Sequence, residues 1–221
     1  LTALKNLLQC GIRAECLERE DNLGGNWYFG SSTSRVFEST KLISSKSLTE
    51  FTDFPMPHEW PAYPDHRQCL AYLHQYSDHF GLREHILFRN SVTRITPITR
   101  NHVRQGWQVD FEDGTIRNYA GLVFASGHNH EPRLPAIISG FSGPVIHSAE
   151  YKSPDIPHVL KNKRVLVIGG GNSGCDIAVE TSFHSALTFH STRRNYHVLP
   201  RLFMGRPSDL RGERLLKMHV P

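Results

Sequence analysis

An α/β fold, with parallel strands alternating with helices and one small antiparallel β-meander, is predicted by three observations. The first is residues 163–168, Lys-Arg-Val-Leu-Val-Ile, which run into Gly169-Gly170-Gly171-Asn172-Ser173-Gly174 and then into the helical pattern of residues 175–181. The second is the start of the chain, where Leu1, Leu4, Leu7 and Leu8 share one helical face and Gly11 supplies a stop. Residues 12–18 then read as a strand ending in the acid Glu18. The third is a set of short β-patterned runs at residues 86–88, 92–98, 107–111 and 115–119, with Asp113-Gly114 as a hairpin turn. Together they describe two nested dinucleotide-binding, Rossmann-like domains with parallel sheets, the first carrying the meander. Both are expected to be truncated, the first at its start and the second at its end.

The glycine run carries most of the chemistry. A β-branched apolar run reads as a buried parallel strand, and G-x-G-x-x-G between such a strand and a helix is the dinucleotide fingerprint. Gly169 permits the tight turn, Gly171 lets a pyrophosphate approach the backbone, and Gly174 lets helix and strand pack closely. The free amides of Asn172 and Ser173 at the helix start then face the phosphates. Residues 186–191 read as the next strand, after which a protein that prefers NAD places an acid. This chain has Ser191-Thr192-Arg193-Arg194, whose guanidinium groups can grip a 2′-phosphate through paired charged hydrogen bonds. NADPH is therefore the expected second cofactor. At the other end, Glu18 stands where a β-α-β unit holds a ribose hydroxyl, although its first strand and phosphate loop are not in the chain.

Composition narrows the classes. With 221 residues, 38% hydrophobic and 21% charged, the chain can bury a sizeable core of ordinary soluble type. Its apolar runs are too short to span a bilayer and no signal peptide is visible, so a cytoplasmic location is expected. The net charge of +4 is explained by phosphate-bearing cofactors as well as by nucleic acid, and since only the charge speaks for the latter, no nucleic-acid partner is expected. Fourteen histidines lie scattered without metal-ligand spacing, so no metal site is expected. The four cysteines, Cys10, Cys16, Cys69 and Cys175, form no C-x-x-C pair, which points to a reducing compartment. Residues 67–80 carry Leu70, Leu73, Tyr76 and Phe80 at helical spacing before Gly81, a core helix. Residues 121–125 read as a buried strand, and residues 54–64, rich in proline, as an ordered loop with aromatic anchors.

Five stretches, in order along nearly the whole chain, resemble the flavin-containing monooxygenase family, in its bacterial type. Phe141-x-Gly143-x-x-x-His147-x-x-x-Tyr151-Lys152 is similar to that family's identifying signature, which lies just ahead of its NADPH fingerprint. Asp21-Asn22-Leu23-Gly24-Gly25-Asn26-Trp27 resembles the G-G-x-W loop that covers the flavin side of FAD. Residues 42–46 and 51–55 resemble a stretch ending F-x-D-F-P. Ala125-Ser126-Gly127 matches the A-[ST]-G turn that re-enters the FAD domain, and residues 200–209 resemble a stretch of bacterial-type members.

The resemblance implies an FAD-binding domain over residues 1–152 and an NADPH-binding domain over 153–221, both incomplete. It implies that Val92 meets the adenine through its backbone, and that the absent first loop is where FAD pyrophosphate is held. The implied activity is N- or S-oxygenation of a soft small-molecule nucleophile with NADPH and O₂, through a flavin hydroperoxide, with Baeyer–Villiger oxygenation as a close neighbour. No side chain need act as nucleophile, acid or base, and His147 and Tyr151 are expected to brace the junction. The absence of a redox cysteine pair sets the chain apart from flavin disulfide reductases of similar architecture. Ungapped alignment puts Ile43 where animal members have an asparagine thought to steady the flavin hydroperoxide, with Ser44 and Ser45 as the neighbouring hydroxyls. The alternative from another class is a non-catalytic fragment that binds NADP(H) or a protein partner. On either reading these 221 residues are expected to retain FAD only weakly.

Overall fold

The computed structural model describes residues 1–210 apart from 129, 139 and 196. Helix α1 (Thr2–Gln9) buries Leu4 and ends in a Schellman arrangement. The amide of Gly11 donates to the Leu8 carbonyl and that of Ile12 to Leu7, both at 2.9 Å, with Gly11 at φ 73°. Strand β1 (Cys16–Leu17) pairs in parallel with β2 (Ile86–Leu87). The strand expected over residues 12–18 is thus a two-residue ladder, because a strand extends only as far as its hydrogen-bonding partner, and Ile12 is exposed.

The meander is present. Strands β3 (Val92–Arg100), β4 (Val103–Phe111) and β5 (Ile116–Tyr119) form an antiparallel sheet in that order. The first hairpin runs further than its sequence pattern indicated, because Asn101 (φ 50°) and His102 (φ 62°) make a two-residue turn with both residues left-handed. The second turns at Gly114 (φ 83°), where the Asp113 carboxylate accepts from the amide and hydroxyl of Thr115. Val109 and Phe111 face inward and are buried.

Helix α3 (His66–His79) begins with a capping box: the Gln68 amide donates to Asp65 Oδ1 (2.9 Å) and the Asp65 amide to Gln68 Oε1 (3.1 Å). Tyr76 is buried as expected, while Cys69 and Tyr72 are buried in place of the expected Leu70 and Leu73, which are half-buried, as is Phe80. Residues 121–125, expected as a buried strand, form none. No described residue pairs with them, and Val123 and Phe124 are exposed, since an apolar run without a ladder partner has nothing to hold it in a sheet.

The chain divides into two compact units, Leu1–Thr33 with Leu70–His130, and Ser34–Cys69 with Glu131–Pro221. These units follow packing; the division expected at residue 152 rested on the family resemblance. In the second unit, β6 (Arg164–Ile168) and β7 (Leu187–Ser191) pair in parallel, joined by α4 (Asn172–His184). The fingerprint therefore sits in a strand–turn–helix–strand unit as expected. Burial differs from expectation: Val165 and Val167 are half-covered while Leu166 and Ile168 on the other face are exposed, so β6 is covered on one side only. Val167 packs with Ile146 and Leu160 against the buried Phe37, Tyr151 and Ile177. Full burial of each such large apolar side chain contributes about 1.5–3 kcal/mol.

Two further features complete this unit. The short helix α2 (Lys46–Thr49) carries Lys46, whose ammonium donates to the carbonyls of Pro57 (2.8 Å), His58 (2.7 Å) and Trp60 (2.8 Å), which orders the proline-rich loop. The hairpin β8 (Leu202–Phe203) and β9 (Arg206–Pro207) turns through Met204 and Gly205, both at positive φ. Among the described residues no helix is long and apolar enough to cross a membrane.

Candidate functional site

The turn between β6 and α4 builds the best-defined site. The Gly169 amide donates to the Ser191 carbonyl at 2.9 Å, which joins the turn to the end of β7. The Gly169 carbonyl lies 2.7 Å from His190 Nε2. The three fingerprint glycines differ in what the structure asks of them. Gly169 has φ 122°, which an L side chain rarely adopts. A Cβ on Gly174 would stand 2.2 Å from the Gly169 carbonyl oxygen, so helix and turn are in backbone contact. Gly171 has an ordinary φ of −79° and nothing within 4 Å of an added Cβ. Neither strain nor packing requires glycine there. No side chain caps α4, so its first-turn amides are left to other acceptors.

A cleft of about 620 Å³ opens over this turn, lined by Gly170, Gly171, Thr192, Arg193, Arg194 and Asn195. Of the residues singled out in sequence for the second dinucleotide, Gly171, Arg193 and Arg194 are brought together. Gly169 and Gly174 shape the turn behind the cleft, Asn172 and Ser173 open α4, and Ser191 gives its carbonyl to Gly169. Gly170, Thr192 and Asn195 were missed, although each adjoins a singled-out residue.

The residues singled out for the first dinucleotide lie in the other unit. Glu18 is held at the end of β1, its amide on the Leu87 carbonyl at 2.9 Å and its Oε1 accepting from the Glu20 amide at 3.0 Å. Gly24 (φ 126°) and Gly25 (φ 51°) bend the chain into a short 3-10 turn over Gly25–Trp27. A Cβ on Gly24 would meet Leu70 Cδ1 at 2.3 Å. Asn26 is exposed and Trp27 half-buried, so the indole is not sealed in the core. Val92 starts β3 opposite Phe111. The Ser126 carbonyl is 2.8 Å from His130 Nε2, and Gly127 has φ 79°.

Of the signature residues, Tyr151 and Lys152 bond to distant segments, whereas His147 bonds, among the described residues, only within its own turn. The Tyr151 hydroxyl donates to Glu180 Oε2 on α4 at 2.8 Å, and its ring meets Phe37 edge-on at 5.6 Å. Burial, and then the Glu180 carboxylate, push the Tyr151 phenol well above its usual range, so it stays protonated. The Lys152 ammonium donates to the carbonyls of Ser34 (2.9 Å) and Val36 (3.3 Å), and burial pulls its pKa down. His147 accepts from the Ala149 amide through Nδ1 at 3.1 Å. Ile43 is 60% exposed, whereas Ser45 is fully buried with its hydroxyl unpartnered, so of the two neighbouring serines only Ser44 reaches the surface.

The fold is that of a dinucleotide-binding α/β protein. The flavin-binding monooxygenase-like family model matches residues 1–218, and the chain belongs to that family of enzymes. It is 35% identical to flavin-containing monooxygenase 1 of Homo sapiens over 239 residues, covering all of this chain and 44% of that protein. The chain thus spans less than half the length of this relative. Among solved structures, a flavin-containing monooxygenase from Stenotrophomonas maltophilia has a TM-score of 0.75 and 26% identity, with 96% of this chain and 59% of that one covered. The S-allyl-L-cysteine S-oxygenase of Allium sativum has a TM-score of 0.78 at 22% identity, with 92% of this chain and 51% of that one covered, a likeness of fold.

Proposed function

We propose that the cleft over the β6–α4 turn holds NADPH in a monooxygenase that also uses FAD and O₂ to oxygenate a soft nitrogen or sulfur nucleophile. The observation that carries this reading is Gly171. Its backbone is unstrained and its surroundings are open, so the close approach of a ligand is what a side chain there would obstruct. Arg193 and Arg194 line the same cleft and supply fixed positive charge for a 2′-phosphate, while the amides of Asn172 and Ser173 face the pyrophosphate. Glu18, Gly24, Gly25, Asn26, Trp27, Val92, Ser126 and Gly127 serve FAD. Bound together, the two cofactors supply the redox chemistry that activates oxygen, and this chain's residues bind, orient and exclude water. Four free cysteines suit a reducing compartment such as the cytoplasm.

The test compares binding of NADPH and NADH to the parent, Arg193→Ala and Arg194→Ala. Losing a charged hydrogen-bond partner costs ~1.5–3 kcal/mol, so each variant should lose roughly tenfold or more in NADPH affinity and little in NADH affinity. Equal affinity of the parent for the two nucleotides overturns the reading.

A further inference from the structure

The arginine-bearing segment that lines the cleft is tied down at both ends. At its start the Ser191 carbonyl accepts from the Gly169 amide at 2.9 Å. Beyond it stands Arg201, whose Nη2 is 3.4 Å from Asp176 Oδ1. Asp176 lies on α4, the helix whose first turn forms the glycine site. The Arg201 guanidinium also lies over the Tyr63 ring, 5.7 Å from its centroid. The Arg201 carbonyl accepts from the Tyr63 hydroxyl (2.8 Å) and from the Ser208 amide (2.9 Å), so backbone and side chain are both held. The Arg201 and Asp176 side chains are 44% and 34% exposed, and an ion pair of that kind contributes little to global stability. Its structural effect is local: it fastens the far end of the segment to the helix that also positions Gly171.

The geometry points to Arg201 as a positioning residue that, through Asp176, sets Arg193 and Arg194 for a 2′-phosphate and thereby contributes to the choice of NADPH over NADH. This rests on the NADPH reading above. Arg201 lines no part of the cleft and is not assigned a contact with the nucleotide. A tethered segment reaches its binding geometry with less ordering cost on association, and a ligand that uses the arginines benefits while one that lacks the 2′-phosphate does not.

The experiment measures binding of adenosine 2′,5′-bisphosphate and adenosine 5′-monophosphate by calorimetry. The proteins are the purified parent chain, Arg201→Ala, Arg201→Lys, Asp176→Asn and the Arg201→Ala/Asp176→Asn double variant, each with a parent-like circular dichroism spectrum. Arg201→Ala and Asp176→Asn should each weaken the bisphosphate roughly three- to tenfold while 5′-monophosphate binding stays within about twofold. The double variant should be no worse than either single one, because both break the same pair, and Arg201→Lys should recover most of the loss. Where Arg201→Ala does not fold, Asp176→Asn carries the same test. Unchanged bisphosphate binding, equal loss of both ligands, or additive losses in the double variant each overturn the inference. Arg193→Ala and Arg194→Ala separate the two levels. If they abolish the advantage of the bisphosphate while the Arg201 variants do not, the positioning role alone falls. If they leave that advantage intact, the NADPH reading falls and the positioning role falls with it.

Discussion

At residue scale, the three fingerprint glycines separate what the backbone needs from what a ligand needs. At Gly174 an added methyl collides with the Gly169 carbonyl, a backbone atom that cannot step aside without moving the turn. Gly174→Ala should therefore destabilise the chain by ~1–3 kcal/mol, as overpacking does, and abolish nucleotide binding together with it. Gly171→Ala meets open space at an ordinary φ. Its melting temperature should match the parent, while under the proposed function NADPH affinity should fall by about tenfold or more, the methyl standing where the pyrophosphate would approach. Thermal melts and nucleotide titrations on the two variants check both halves. Undiminished affinity in Gly171→Ala would place the pyrophosphate elsewhere.

At the scale of the element, α3 shows how a helix start can be specified by its own side chains and still depend on distant ones. Asp65 and Gln68 cap it reciprocally, and replacing Asp65 by Ala should cost about 0.5–2 kcal/mol in urea unfolding, the usual range for a lost cap. His66 follows the cap, is buried, and donates its amide to the Thr40 carbonyl at 3.0 Å. Burial first, and then the neighbouring Arg67, pull its imidazole pKa below the ordinary 6.5. His74, further along α3, is lowered in the same direction, by burial and then by Arg83. In the unfolded chain each takes its proton sooner than in the folded one as pH falls. The stability they permit is thus complete above pH 6.5 and is lost as pH falls below it. Urea midpoints measured from about pH 8 to about pH 5 should decline, and less steeply in His66→Gln. A flat parent profile would contradict this assignment. The buried face of α3 was only partly legible: Tyr76 is buried as its spacing indicated, but Cys69 and Tyr72 lie one position round from Leu70 and Leu73, which periodicity favoured.

At the scale of the whole molecule, Ile43 bears, under the proposed function, on how oxygen would be used. It stands where the family resemblance expects an asparagine, has no hydrogen-bonding group and is exposed, and of the neighbouring hydroxyls Ser45 is buried and only Ser44 reaches the surface. Under the proposed function, flavin-loaded protein oxidising NADPH without substrate should release hydrogen peroxide, and Ile43→Asn should lower the peroxide formed per NADPH consumed by roughly two- to tenfold, the worth of one hydrogen bond. A parent that releases none would falsify it. The family relationship is carried by the chain as a whole, and the uncovered apolar side chains Leu166, Ile168, Val179 and Phe183 show that sequence pattern alone did not say which faces this chain covers.

The β6–α4–β7 unit, the glycine turn and the meander were written into the sequence because each depends on neighbours in the chain: alternation, helical period, and glycines at positions other residues resist. The loss of strand at residues 121–125, the shortness of β1 and the open face of β6 depended on which ladder partners and covering elements were present, which a local window does not contain. The same reason hid Arg201 opposite Asp176 and Tyr151 opposite Glu180, pairs separated by 25 and 29 residues along the chain. Packing alone brings such side chains together, so the tertiary structure decided how the cleft is held even where the sequence had already named the arginines that line it.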